Sequence, residues 1–164
     1  MVVSSAFIIL LAEDSGSDVL LFRDAVKKCS EKLGVKIHIE AVPDGAEAIA
    51  YLGGEGKFGD RKQFPFPDIV VLDLKMPRLT GLDVLAWLKG HDEYRRLPKI
   101  LFSGSSEERD IDEAYRLGVN TYFQKPGSLD EFRELVHYII CYWVHTQRPV
   151  IRHVSPVRTV QGSM

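Results

Sequence analysis

Cysteine is almost missing from this sequence: two residues, Cys29 and Cys141, in 164. Both sit in apolar helical patterns, and neither has a metal-ligand spacing such as Cys-x-x-Cys. They read as buried free thiols rather than as a disulfide framework or a zinc site. The N-terminal apolar stretch, residues 6–12, is too short to cross a bilayer, with no basic flank before it and no small-residue cleavage site after it. A cytoplasmic protein without membrane contact is expected. An excess of one charge is also lacking. Lys and Arg number 21 against 23 Asp and Glu, a formal net charge of −2, which argues against a protein built chiefly to grip nucleic acid or an anionic membrane. The five histidines, His38, His91, His137, His145 and His153, follow no ligand pattern and receive no chemical role.

What the chain does have is alternation. With 45% hydrophobic and 27% charged residues it is long enough for one core and short for two. Apolar runs of strand length at 6–12, 36–42, 69–73, 99–103 and 121–124 alternate with helical periodicity near 18–33, 45–53, 81–89, 106–117 and 129–145. This is the pattern of an α/β protein with a doubly wound, five-stranded parallel sheet. Residues 7–11 and 69–72 are apolar without interruption, as expected of central strands covered on both faces, and should lie side by side. Asp44 with Glu47, Ser105 with Glu108 and Ser128 with Glu131 have the spacing of helix-start caps. Gly34, Gly90 and Gly118 stand where left-handed glycines end helices. The expected organisation is an N-terminal extension over 1–5, one domain over 6–145, and a flexible tail over 146–164. Within the domain, the Gly- and Pro-rich stretch 53–67 reads as a long surface loop, either mobile or partner-binding. In the tail, Arg148, Arg152 and Arg158 read as solvated cations.

In a sheet of this kind ligands bind outside the carboxyl ends of the strands. Here those ends are chemically loaded: Glu13 and Asp14 after the first strand, Asp73 ending the third, Ser103 ending the fourth, Lys125 and Pro126 after the fifth. Taken singly, either aspartate would read as a turn cap, and Lys125 as a solvated loop residue. Together, neighbouring carboxylates either raise one another's pKa or hold a cation. Oxygen donors without nearby sulfur or imidazole favour a hard ion, Mg2+ or Mn2+. A metal and an ammonium around one carboxylate suit phosphoryl transfer, which is mostly positioning and charge neutralisation. Asp73 is then the nucleophile, Asp14 a direct ligand, Glu13 a ligand directly or through water, and the backbone carbonyl of Lys75 a further oxygen.

The segments 10–15 (Leu-Leu-Ala-Glu-Asp-Ser) and 71–77 (Val-Leu-Asp-Leu-Lys-Met-Pro), with Gly81, Ser103 and Lys125–Pro126, resemble the motifs of response-regulator receiver domains. The match covers about residues 6–142, and Ser103 and Lys125 follow Asp73 by 30 and 52 residues, spacings similar to the family's own. The resemblance implies a flavodoxin-like receiver fold with strand order 2-1-3-4-5. It also implies Mg2+-assisted phosphorylation of Asp73 by a sensor histidine kinase or histidine phosphotransfer protein. Ser103 and Lys125 would contact the phosphoryl oxygens, Ser103 and Tyr122 would form the switch, and the Lys125–Pro126 peptide would be cis. Glu13 stands where many members have aspartate and Ser103 where many have threonine, changes that keep each functional group, while Lys75 lies where the family tunes dephosphorylation.

Within the family, the stretched loop 53–67, the Tyr142–Trp143 ending of the last helix and the short tail are similar to the small response regulators of bacterial phytochrome kinases. That likeness implies a bacteriophytochrome as kinase, a separate downstream protein, and a homodimer through the last-helix face with Tyr142 and Trp143 as candidate interface residues. No DNA-binding or catalytic segment follows in the sequence, so a stand-alone regulator is expected that catalyses only its own phosphorylation and dephosphorylation and binds no nucleic acid directly. Two rivals remain. An aspartyl-nucleophile phosphatase would carry a second aspartate two residues beyond the nucleophile, where this chain has Lys75. A receiver-like scaffold that takes no phosphate would have lost an acidic residue, the acceptor or the lysine, and all are present.

Overall fold

The computed structural model of the chain describes residues 6–149 and 151. The expected extension over 1–5 and most of the expected tail, with Arg152, His153 and Arg158, lie outside the described residues. Five strands, β1 (Phe7–Ala12), β2 (Ile37–Val42), β3 (Ile69–Leu72), β4 (Lys99–Ser103) and β5 (Thr121–Gln124), alternate with helices α1 (Gly16–Leu33), α2 (Gly45–Gly53), α3 (Gly81–Lys89), α4 (Glu108–Arg116) and α5 (Leu129–His145). The strands form one parallel sheet in the order β2-β1-β3-β4-β5, the flavodoxin-like arrangement. Among the described residues no helix is long and apolar enough to cross a membrane.

Strand alternation divides the core in two. Leu10 and Ala12 of β1, Val70 and Leu72 of β3 and Leu101 of β4 face α2, α3 and α4. Phe7, Ile9, Leu11, Ile69, Val71, Ile100 and Phe102 face α1 and α5. Successive side chains on a strand point to opposite faces, so β1 and β3, buried on both, must be apolar at every position. Leu10 pairs with Val70 and Ala12 with Leu72, so β1 and β3 end level with one another. That register brings the residues just past both strands to one edge.

Helix ends follow the sequence signals with a few shifts. Ser15 caps α1 by accepting from Asp18 N at 3.3 Å, which starts the helix at Gly16 rather than 18. Asp44 and Ser128 cap α2 and α5 as their spacing predicts. Ser105 does not cap α4. Its hydroxyl instead donates to Asp110 at 2.8 Å, and α4 starts later, at Glu108, without a side-chain cap. Gly34 and Gly118 are left-handed, at φ 63° and 89°, but Gly90 is right-handed at φ −76°. Its chain passes directly into the turn Asp92–Tyr94, so no reversal is needed there. Lys125–Pro126 is trans, since no peptide among the described residues is cis; trans is the lower form of an X–Pro bond by about 0.5–1 kcal/mol.

The stretch 53–67 is not a structureless loop. It forms a 3-10 turn at Gly56–Gly59 and buries Phe58. Phe58 packs on fully buried Tyr51 (ring centroids 5.1 Å apart) and on Phe64 (5.2 Å). The Arg61 guanidinium donates to Tyr51 O and Leu52 O, each at 2.8 Å, joining the Gly54 N–H that Tyr51 O also accepts at 3.1 Å, and so ties the segment to the carbonyl end of α2. The Tyr51 hydroxyl donates to Pro65 O at 2.6 Å. Gly and Pro set the turns here, but three aromatic rings hold them in place.

The start of the tail is held as well. Arg148 donates to Trp143 O at 2.6 Å, lies 3.6 Å from Asp68 Oδ1 and covers the Phe7 ring at 4.5 Å, rather than standing in solvent as its sequence context suggests. Truncating Phe58 to Ala should cost about 3 kcal/mol by removing a buried ring. Urea unfolding of the two proteins measures this, and a loss well under 1 kcal/mol would mean that the 53–67 segment packs independently of the core.

Candidate functional site

At the carboxyl edge of the sheet, the chain leaves β1 through Glu13 and Asp14 and leaves β3 through Asp73. Glu13 N donates to Val42 O at 3.0 Å and Asp73 N to Ala12 O at 2.9 Å, so both carboxylates are placed by an extra rung of the strand ladder. Glu13 and Asp73 are buried, while Asp14 is exposed. Each of the three offers an oxygen within 4.8 Å of the others. The donors are oxygens alone, the set that suits a hard divalent cation.

Lys125 enters this group from beyond β5. Its ammonium donates to Glu13 Oε2 at 2.6 Å and Asp18 Oδ2 at 2.8 Å, and lies 3.4 Å from Asp73 Oδ2. The other oxygen of Asp73 accepts from Leu74 N at 2.7 Å, which fixes the carboxylate plane and leaves Oδ2 toward Lys125. Burial drives the Glu13 carboxyl up to about 7, against the opposing pull of Lys125 and Ser15 N–H. Burial alone would lower the Lys125 pKa, but its bonds to Asp18 and Glu13 and the charge of Asp73 raise it. The centre is therefore one ammonium shared by the carboxylates of Glu13, Asp18 and Asp73.

Backbone packing shapes the pocket floor. Gly81 N donates to Leu74 O at 2.9 Å. A Cβ at Gly81 would lie 2.3 Å from the Asp73 carbonyl oxygen and 3.1 Å from Leu101, so only glycine lets α3 start this close beneath the acceptor. Thr80 and Asp83 cap that start reciprocally. Arg78, in the same β3–α3 loop, is the one described non-glycine residue with positive φ, 64°. Its guanidinium holds Asp44 Oδ2 at 2.7 and 2.8 Å, which offsets the backbone strain.

Ser103 is buried at the end of β4, with its hydroxyl accepting from Ser105 N at 3.3 Å. Tyr122 is half-buried, and its hydroxyl donates to Ser105 O at 2.8 Å, which ties the aromatic of β5 to the loop that follows Ser103. Lys75 is exposed, two residues past Asp73. Of the two candidate interface residues, Tyr142 is 64% exposed but Trp143 is 8% exposed and part of the core. Positions 132, 136, 139, 140 and 143 form the inner stripe of α5, so its outer face carries Tyr138, 58% exposed, beside Tyr142. Asp18 was not among the predicted site residues. Its only local signal is its place in the first turn of α1, three residues after the cap Ser15.

The family model described as response regulator receiver domain matches residues 9–137. Response regulator Rcp1 of Synechocystis sp. is 30% identical over 139 residues, covering 85% of this chain and 90% of Rcp1. The probable methanogenesis regulatory protein FilR2 of Methanothrix harundinacea is 34% identical over 143 residues, 87% of this chain and 86% of FilR2. Among solved structures, the phosphorylated cyanobacterial phytochrome response regulator RcpA superposes with a TM-score of 0.82 at 32% identity, covering 89% of this chain and all of RcpA (100%). The Mn2+-bound form of Rcp1 gives a TM-score of 0.79 at 29% identity, covering 88% and 99%.

The Asp44–Arg78 contact yields a pH-dependent expectation. Burial would raise the Asp44 carboxyl, but the N–H of Glu47 and the Arg78 guanidinium outweigh it and hold the group below its usual range. A carboxyl depressed in the folded state stabilises above its unfolded pKa and loses that contribution as pH falls through the folded value. Asp44→Ala should therefore cost about 1–2 kcal/mol at pH 7, and the gap to wild type should narrow by pH 3. Urea unfolding at the two pH values checks this, a gap that persists undiminished at pH 3 counting against the contribution of charge.

Proposed function

The chain belongs to the response regulator receiver family, and from that premise we propose that it accepts a phosphoryl group on Asp73 from the phosphohistidine of a sensor histidine kinase or a histidine phosphotransfer protein. The observation that carries the reading is the convergence of Asp73 with the Lys125 ammonium at 3.4 Å and with the oxygens of Glu13 and Asp14. A carboxylate oxygen of Asp73 attacks phosphorus, the new O–P bond forms as the N–P bond breaks, and the released electron pair stays on the imidazole nitrogen, which then takes a proton. Glu13, Asp14, Asp73 and the backbone carbonyl of Lys75 would hold Mg2+ or Mn2+, which when bound supplies charge neutralisation at the transferred oxygens. Lys125 contacts one phosphoryl oxygen and the Ser103 hydroxyl another. A phosphoryl group adds about −1.5 to −2 charges, drawing in Ser103 and, through the Ser105 carbonyl, shifting Tyr122 and the surface of α4, β5 and α5.

Receiver proteins of this family are signalling proteins, and we assign this one no turnover beyond its own phosphorylation and dephosphorylation. Lys75 is exposed where a phosphatase would need a second carboxylate. Rcp1 and RcpA are response regulators, RcpA of a phytochrome, and we extend that to a bacteriophytochrome as the kinase here, with a separate protein reading the output. We place the exchange in the cytoplasm, where Cys29 and Cys141 stay free thiols. A homodimer through α5 fits the exposed Tyr138 and Tyr142, which flank a cleft of about 310 Å³ lined also by Phe123 and Trp143.

Incubation with acetyl phosphate and Mg2+, followed by intact mass, should add one phosphoryl group to the wild type and none to Asp73→Asn. No addition to a folded wild type would move the protein to the scaffold reading. For the dimer, sedimentation velocity should show the wild type as two copies and the double variant Tyr138→Ala, Tyr142→Ala shifted toward one; an unshifted double variant would place the contact elsewhere.

A further inference from the structure

Of the three carboxylates around Lys125, two belong to the cluster that could hold a cation and one does not. Asp18 stands on the first turn of α1, outside the group Glu13, Asp14 and Asp73. Its bond to the ammonium, 2.8 Å, is as well made as that of Glu13, at 2.6 Å. The Lys125 side chain is 13% exposed and that of Asp18 29%, so the bond lies at the rim of the site rather than in open solvent. Asp18 is itself held by a short local chain. Its N–H donates to Ser15 Oγ at 3.3 Å, and Ser15 N donates to Glu13 Oε1 at 3.0 Å.

An ammonium and a divalent cation cannot both sit on Glu13 and Asp73 without repulsion. With those carboxylates drawn toward a cation, two of the three partners of Lys125 would be weakened, and a long flexible side chain that loses partners samples more rotamers. Asp18 is the one partner that the cation does not take. We propose that Asp18 is a positioning residue, the anchor that keeps the Lys125 ammonium beside Asp73 while Glu13 and Asp73 serve the metal, so that it meets the incoming phosphoryl oxygen already oriented. The inference rests on the phosphoacceptor reading of Asp73. Asp18 touches neither the acceptor nor the transferred group and acts through Lys125 alone.

The experiment combines a double-mutant cycle with a direct view of the ammonium. The rate of phosphorylation by acetyl phosphate at saturating Mg2+ would be measured for wild type, Asp18→Ala, Lys125→Ala and the double variant, with melting curves confirming that each is folded. Asp18→Ala should slow the wild type roughly tenfold, and should change the rate less than twofold when Lys125 is already absent, because the two act as one unit. Asp18→Glu should recover part of the loss. Equal slowing in both backgrounds, or none in either, would overturn the proposal. Independently of activity, the 15N-labelled Lys125 ammonium should give a slowly exchanging NMR signal that survives Mg2+ addition in the wild type and vanishes in Asp18→Ala. If that signal is the same in both proteins, Asp18 is not the anchor, whether or not Asp73 takes phosphate. A wild type that keeps the signal yet gains no phosphoryl group sinks the acceptor reading and leaves the anchor standing.

Discussion

One ammonium makes the loaded edge of this sheet possible. Glu13 and Asp73 are buried side by side at the ends of two central strands, where neighbouring carboxylates would otherwise repel or take up protons. Lys125 reaches both and Asp18 as well, and its charge is held there by the same bonds. Breaking a buried pair by removing one partner leaves an uncompensated charge. The positions of the β1–α1 turn, the β3–α3 loop and the residues after β5 therefore depend on a shared electrostatic centre as much as on packing.

The surrounding fold serves that centre by rigidity. β1 and β3 are apolar on both faces and level in register, so the residues beyond them are set by ladder hydrogen bonds rather than by loop preference. Gly81 admits α3 directly beneath Asp73. On the helical face that includes α2, Arg61 and three aromatic rings convert an apparent loop into part of the core, and on the other face Arg148 fastens the end of α5 to Asp68 and Phe7.

Much of this was legible in the residues. Uninterrupted apolar runs of strand length bounded by turn signals fit two-sided strands, and helix caps and turn glycines act locally, so element order, most boundaries and the parallel sheet follow from short-range pattern. Glu13, Asp14, Asp73, Ser103 and Lys125 were visible because strand ends of such a sheet face one edge. Other features were hidden for particular reasons. The 53–67 stretch carries turn residues, and nothing local says that Phe58 and Phe64 will meet Tyr51. Tyr142 and Trp143 are adjacent and alike in type, but α5 turns 100° per residue, so one lies in the core and the other in solvent. Ser105 has cap spacing, yet Asp110 competes for its hydroxyl.

By itself, then, the sequence determined what is decided within a few residues: which segments are strands and helices, where most of them stop, and which chemically active side chains stand at strand ends. Only the tertiary structure decided which of those groups share a charge. Lys125 and Asp18 are 107 positions apart, and no pattern in either neighbourhood names the other. Their contact exists because a parallel sheet brings the end of β5 and the start of α1 to one edge. There, ion-pair energy depends on the distances between groups and on their burial, not on their order along the chain.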